Sequence, residues 1–184
     1  MQGPAGIIAI LLEELAVEVR SSKVHGKGVF AKRAFWRGEP VLPIDDSRVV
    51  TEADPLDPSK GELDYHQDYL GDRNVLMQEP ERYINHCCEP STFVKTYDGV
   101  RWVVAYRNIS AGEEITYDYC IDSYGHFEWE CCCDHPKCRG RHNTDFFKLP
   151  DEKLVEYLPL LDDWFVEWKR DEVEALGRRL GSRI

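Results

Sequence analysis

Apolar and polar positions along this chain change period once, near Pro150. Before it, short apolar pieces are separated by turn residues, the pattern of strands; after it, apolar residues fall at helical spacing. Leu15–Val19 alternates and predicts a strand that leads into Ser21–Ala31, a glycine-punctuated turn flanked by β-formers. Val41–Ile44 and Ser47–Val50 predict short strands, with Arg37-Gly38 as a turn before them. Residues 52–64 are rich in Asp, Pro, Ser and Gly and predict a loop. Val75–Met77, Tyr83–Ile84, Phe93–Thr96 and Val100–Tyr106 suit strands, and Asp98-Gly99 between the last two is a hairpin turn signal. Gly6–Leu15 fits either a short helix or an apolar strand, because periodicity does not decide between them.

Beyond Pro150, Leu154, Leu158, Leu161, Phe165 and Trp168 recur at spacings of 4, 3, 4 and 3. That is one stripe of an amphipathic helix. Pro159 interrupts it, so the pattern predicts a short helix, a break near Leu158, and a longer helix ending by Gly177 or Gly181. The stripe fits packing on the domain. Its aromatic members, Trp164, Phe165 and Trp168, also suit docking or a homodimer through the C-terminal helix. The expected class is therefore mainly β with C-terminal helices.

Composition adds limits. At 184 residues the chain is long enough for one buried core. Its longest apolar run, Ile7 to Leu12, is six residues, far short of a membrane span. No secretory leader is evident, so the expectation is a soluble intracellular protein, cytoplasmic by default, with a nuclear or exported role left open. The formal net charge of −11 disfavours direct nucleic-acid binding and suits a basic protein partner.

The seven cysteines cluster at 87–88, 120 and 131–138. Clustering of this kind points to metal ligation rather than a disulfide framework. Cys131, Cys133 and Cys138 follow a C-x-C-x4-C spacing that places three thiolates on one tetrahedral centre, for which zinc is the fitting ion. A fourth ligand has to come from elsewhere. His135 lies inside the four-residue loop and competes weakly; free buried thiols are the plain alternative.

Three blocks occur in order: Arg82-Tyr83-Ile84-Asn85-His86-Cys87-Cys88-Glu89-Pro90, then Gly112-Glu113-Glu114-Ile115-Thr116-Tyr117-Asp118-Tyr119, then the cysteine cluster. Together they resemble the SET-domain family of protein lysine methyltransferases, over about Val17 to Gly140. The resemblance implies a SET fold of several small sheets with a knot-like C-terminal core and a zinc-stapled post-SET flap. It implies four segments: an N-terminal extension (1–16), the SET domain (17–121), the post-SET zinc segment (122–143) and a C-terminal helical extension (144–184). It makes Cys88 the fourth ligand of one structural zinc, beside Cys131, Cys133 and Cys138. It further implies an S-adenosylmethionine site formed by the backbone of Lys27 and Gly28 at the Gly26-Lys27-Gly28 turn, by Asn85 and His86, and by Trp129 stacking on the adenine. Trp129 fits a core position equally well, and Tyr124 and Phe127 are weaker candidates for the stacking role. With no cysteine cluster ahead of the domain, the chain resembles a compact member of the family.

The implied reaction transfers a methyl from a sulfonium to a lysine amine in one in-line displacement. Lysine has to attack neutral, yet at its ordinary pKa only about one in 2,500 is neutral at pH 7. An apolar channel favours the neutral form, which leaves alignment as the main task. By resemblance Tyr119 orients and polarises the methyl, with general-base action a lesser alternative. Tyr117 stands where the family carries Phe or Tyr, and a hydroxyl there leans toward mono- or dimethylation. The implied partner is a Lys-containing, basic protein or peptide. The main rival is a zinc-stapled peptide-binding module without turnover. Three departures stand out: Cys87 for the usual Ser, Ser91 for an Asn, which should loosen that turn, and Asp134 for a Gly.

Overall fold

The structure, a computed structural model, describes residues 15–181. The undecided Gly6–Leu15 stretch lies outside them except for Leu15. In chain order the strands are β1 (Val17–Ser21), β2 (Lys27–Ala31), β3 (Pro40–Pro43), β4 (Val49–Val50), β5 (Gln67–Leu70) and β6 (Arg73–Leu76). Then come β7 (Asn85–His86), β8 (Thr92–Tyr97), β9 (Val100–Ala105), β10 (Glu114–Tyr117), β11 (Tyr124–Glu130) and β12 (Arg141–Asp145). The helices are α1 (Asp151–Tyr157), α2 (Asp163–Trp168) and α3 (Arg170–Leu180).

The largest sheet runs β1-β2-β10-β8-β9-β3, with β7 also paired to β10. A three-stranded sheet, β4-β6-β5, and the β11-β12 hairpin complete the β structure. β10 is the organising strand. It runs antiparallel to β2 and parallel to β7 and β8, with Thr116 opposite Asn85 and Tyr117 opposite both His86 and Thr92. One strand thus gathers the glycine turn, the Asn-His block and the tyrosines. The main core under this sheet is built from Val29, Leu42, Val103, Ala105 and Ile115. Buried positions run consecutively along β2, β3 and the end of β9, so both faces of these strands are covered.

The hairpin signal is realised. Asp98 and Gly99 both take positive φ, 50° and 77°, and Tyr97 pairs with Val100 across a two-residue turn. Two expectations need correcting. Tyr83–Ile84 is not a strand: Glu81–Tyr83 forms a 3-10 turn, and pairing begins at Asn85. Ser47–Val50 shortens to Val49–Val50, since the Arg48 guanidinium is drawn to Glu62 and Asp54.

The C-terminal stripe packs largely as its periodicity requires: Leu154, Leu158, Leu161 and Phe165 are buried in a second core with Tyr157, Val173 and Leu176. Pro159 sits in a 3-10 turn that breaks the helix, as expected. The expected longer helix is two, broken again at Lys169, where ψ is 34°. Gly181 ends α3 in the left-handed conformation. Asp162 is wholly buried, accepts the N–H groups of Asp163 and Thr96 and the Thr96 hydroxyl, and so pins α2 to β8. Of the aromatic members, Phe165 is buried, while Trp168 packs against Gly71 and Tyr124 and stays 41% exposed.

Candidate functional site

A cavity of about 940 Å³ opens beside β10, within the range for a small-molecule site. It is lined by His25, Gly26, Lys27 and Asn85 together with Ile84, Tyr117, Tyr119 and Trp129. Asp68, Phe127 and Trp164 line the same space. Trp164 comes from α2, so the C-terminal helices supply part of the wall.

Asn85 is 8% exposed and is tied to the glycine turn. Its Nδ2 donates to the Lys27 carbonyl at 2.9 Å and to Glu114 Oε1 at 2.8 Å. Glu114 in turn accepts from the Ser22 hydroxyl. With its amide nitrogen committed to protein, Asn85 has its carbonyl oxygen to offer a ligand amine. The same carboxylate explains Gly28, because a β-carbon there would collide with it. That differs from the expectation: Gly28 makes room for Glu114, and Gly26 and Lys27 are the turn residues that line the cavity. Glu114 has no distinctive spacing, which is why sequence reasoning left it as a plain strand residue.

Tyr119 and Tyr117 lie side by side, ring centroids 4.9 Å apart. The Tyr119 hydroxyl donates to the Ile84 carbonyl at 2.7 Å. Burial first, with a small push from Glu114, raises the Tyr119 pKa well above that of free tyrosine. Burial likewise raises Tyr117, whose hydroxyl points toward Met77 Sδ at 4.0 Å. Both are neutral phenols near pH 7, which argues against a base role for Tyr119. Trp129 lines the cavity, and its ring stacks on His142 at 5.1 Å and 22°.

Cys88, Cys131, Cys133 and Cys138 come together. The Cys88 sulfur lies 3.8 Å from those of Cys131 and Cys138 and 3.7 Å from that of Cys133. Four sulfurs at about 2.3 Å from zinc form a tetrahedron with edges of about 3.8 Å. The residues therefore fit the ion. Backbone N–H groups aim at the same sulfurs, from Arg139 to Cys88, Cys133 to Cys131, and Gly140 to Cys138, at 3.3–3.4 Å. Burial, the largest influence on each thiol, raises Cys88 and pushes Cys131 up to about 12. For Cys133 burial is outweighed by backbone hydrogen bonds at Cys88 and His135, which bring it down to about 7. Metal binding is what would ionise the full set together.

His86 is 5% exposed and does not line the cavity with its ring. Its Nδ1 accepts the Tyr119 backbone N–H at 3.2 Å, and burial lowers its pKa to about 4 despite Asp118 nearby. Asp118 is structural: it accepts the Cys120 N–H and pairs with Arg139, Nη1 to Oδ2 at 2.7 Å. His135 closes its own turn by accepting the Lys137 N–H. Sequence reasoning missed His142, whose Nε2 lies 3.1 Å from the Cys88 sulfur. Its one signal was a place four residues after Cys138. Ser91 does not loosen its turn, since its hydroxyl accepts the Thr116 N–H at 2.9 Å and is fully buried. Asp134 takes φ +54°, the conformation a glycine would supply.

Small sheets gathered around one strand, an aromatic cavity and a four-cysteine flap define a zinc-stapled domain with a ligand-sized cavity. The SET domain profile matches residues 26–120, just over half of the chain, and the chain belongs to the SET-domain family. Among curated relatives, it is 41% identical over 114 residues to the H3 lysine-36 specific histone-lysine N-methyltransferase of Eremothecium gossypii, covering 56% of this chain and 17% of that protein. To the Saccharomyces cerevisiae protein of the same description it is 33% identical over 95 residues, covering 47% and 13%. To trithorax of Drosophila melanogaster it is 31% identical over 141 residues, covering 67% and 4%. The chain thus spans less than a fifth of each. Among solved structures, KRYPTONITE in complex with mCHG DNA and SAH matches with TM-score 0.52 and 27% identity, over 70% of this chain and 29% of that one.

Proposed function

We propose that this chain binds S-adenosylmethionine in the cavity and transfers its methyl to the ε-amine of a lysine in a basic protein. The observation that carries this reading is the continuity of the cavity. One space is lined by Lys27 and Asn85, by the Tyr117–Tyr119 pair and by the rings of Phe127 and Trp164. A cofactor held by Lys27 and Asn85 and a lysine entering the same space would meet at the tyrosines. S-adenosylmethionine there supplies an electrophilic methyl on sulfur.

The chain's own residues provide position and environment. Asn85 offers its carbonyl oxygen to the cofactor's amine, and Lys27 and Gly26 offer backbone. Tyr119 has its hydroxyl hydrogen committed to Ile84, which leaves its lone pairs to orient a polarised C–H group. The walls of Ile84, Met77, Val94 and Tyr117 disfavour an ammonium, so the arriving lysine is drawn toward its neutral, nucleophilic form. Alignment in such a site removes several kcal/mol from a displacement barrier. The Tyr117 hydroxyl fills space that added methyl groups would need, which favours mono- or dimethylation. The relatives named for histone H3 make histones the first substrates to try, and the charge of −11 suits a lysine-rich partner.

The test is incubation of zinc-replete protein with methyl-labelled S-adenosylmethionine and core histones, beside Tyr119→Phe. Label on lysine in the wild type and a loss of at least tenfold in the variant are expected. Cofactor bound without transfer to any basic protein would favour a peptide-binding module instead. Failure to bind the cofactor at all would remove the reading.

A further inference from the structure

The Cys88 sulfur has more neighbours than a metal ligand needs. His86 Nε2 lies 3.6 Å from it, His142 Nε2 3.1 Å, and the Arg139 backbone N–H 3.3 Å. The other nitrogen of each ring fixes what these contacts are. His86 Nδ1 faces the Tyr119 backbone N–H at 3.2 Å, and a backbone N–H can only donate, whereas the Asp118 carboxylate, committed to Arg139, stands farther off at 3.6 Å. His142 Nδ1 faces the Arg139 guanidinium at 3.2 Å, and a guanidinium likewise only donates. Both Nδ1 atoms are therefore acceptors. A neutral imidazole that accepts at Nδ1 carries its proton at Nε2. Both histidines then present an N–H to the Cys88 sulfur.

We propose that His142 and His86 are positioning residues that donate Nε2–H to Cys88, hold it as the thiolate of the metal site, and join that site to the backbone of Tyr119. The proposal rests on the zinc reading of the four cysteines and adds the groups that make it tenable. Zinc with four thiolates carries two net negative charges in a place where Cys88 is fully buried. Arg139 is already paired with Asp118, so its charge is largely spent. The two ring N–H groups add to the Arg139 backbone N–H in satisfying the sulfur, and a buried anionic sulfur short of donors is costly. The rings are held for this purpose. Trp129 stacks on His142, and the His86 and His142 centroids are 4.5 Å apart.

The alternative is that His86, Cys88, Cys131 and His142 hold the ion themselves, since their ligand atoms also lie within 4.8 Å of one another. Two observations oppose it. Ligation through Nε2 would put a proton on each Nδ1, setting donor against donor at Tyr119 and Arg139. The 3.1 Å contact is also shorter than the sulfur–nitrogen edge of about 3.6 Å expected when both atoms share a zinc.

The experiment compares wild type, His142→Gln, which keeps a donor near the Nε2 position, and His142→Leu, which keeps bulk without one. Zinc affinity is measured by competition with a chromophoric chelator, and the cobalt form is read by absorption. His142→Leu should bind zinc roughly 10- to 100-fold more weakly, the range for lost outer-shell partners. His142→Gln should stay within about threefold of wild type, and the cobalt spectra should be those of four sulfur ligands throughout. In His142→Leu the sulfur-to-cobalt band should move to longer wavelength, because a thiolate that loses a donor gives up charge more easily. Nitrogen NMR of the wild-type zinc form, which needs no variant, should show both histidines neutral with the proton on Nε2. Equal zinc affinity in all three proteins, or protons on Nδ1, would overturn the proposal and leave the zinc site standing. A nitrogen ligand in the cobalt spectrum that disappears in His142→Leu would overturn it in favour of ligation. Wild-type protein that takes up no stoichiometric metal would remove the zinc reading itself.

Discussion

The Glu114 carboxylate holds both Ser22 and Asn85, and the missing side chain of Gly28 gives it room. Gly28→Ala should therefore act on the cofactor-holding part of the cavity without touching it. A methyl forced into a filled space costs about 1–3 kcal/mol; thermal unfolding and calorimetric titration of S-adenosylmethionine should show lower stability and weaker binding together. Unchanged binding would disconnect Glu114 from the site. At Tyr117 the hydroxyl has only a sulfur nearby, so Tyr117→Phe should cost little stability while shifting products toward higher methylation. Product masses identical to wild type would refute that role. Asp122 carries the pH dependence. Burial, reinforced by Asp162 and resisted by the Asp162 N–H, pushes its pKa up to about 8. Unfolded, it ionises near the ordinary ~3.9. Its proton thus favours the folded state at low pH, and that contribution is lost as pH rises from about 4 to about 8. Asp122→Asn, which keeps the acceptor for Asp162 and tolerates the φ of 57°, should raise Tm more at pH 8.5 than at pH 5. An equal difference at both would show that Asp122 is ionised in the fold.

At the scale of elements, the β11–β12 hairpin is the part least written into the chain's pattern. Only Phe127-Glu128-Trp129-Glu130 alternates within Tyr124–Glu130, and with Gly125 ahead of it so short a run is a weak strand signal. It is held instead by Glu128 reaching Arg141 and Asn143, by Trp129 on His142, and by the cysteines that follow. Strands β8 and β9, in contrast, were legible as short apolar pieces on either side of Asp98-Gly99, and α1 and α2 from the apolar stripe of Leu154 to Trp168. The break at Lys169 was not, because neither Gly nor Pro marks it. Asn85, Tyr117, Tyr119 and the four cysteines were legible because their order and spacing are distinctive. Glu114 and His142 act through partners 29 and 54 residues away, a relation no local pattern carries. Structural zinc contributes roughly 10–16 kcal/mol of apparent folding energy in small peptides. A strong chelator should then expose the β11–β12 amides to hydrogen exchange while β8, β9 and β3 stay protected. Uniform loss of protection would mean that flap and sheet unfold as one unit.

For the whole molecule, a net charge of −11 acts at a distance as a field that attracts basic partners. Raising ionic strength from about 0.05 to 0.3 M shortens the reach of that field to a few ångströms beyond contact. Turnover of a lysine-rich peptide should fall several-fold in kcat/KM with kcat little changed, whereas a peptide with a single lysine and no other charge should be insensitive. Equal salt dependence for both would assign the partner preference to contacts alone. Among the described residues no helix is long and apolar enough to cross a membrane.

The spacing of the zinc ligands also imposes a sequence of events in time. Cys88 precedes Cys131 by 43 residues and Cys138 by 50, and β10 with Tyr117 and Tyr119 lies between them. On the ribosome the sheet that carries the tyrosines can assemble while the last cysteine is still inside the exit tunnel. The metal clasp closes only after that cysteine has emerged. A chain broken off before residue 138 would therefore leave the ribosome with its reactive strand in place and its latch missing. The order in which the residues are synthesised acts as a check that translation reached the end of the flap.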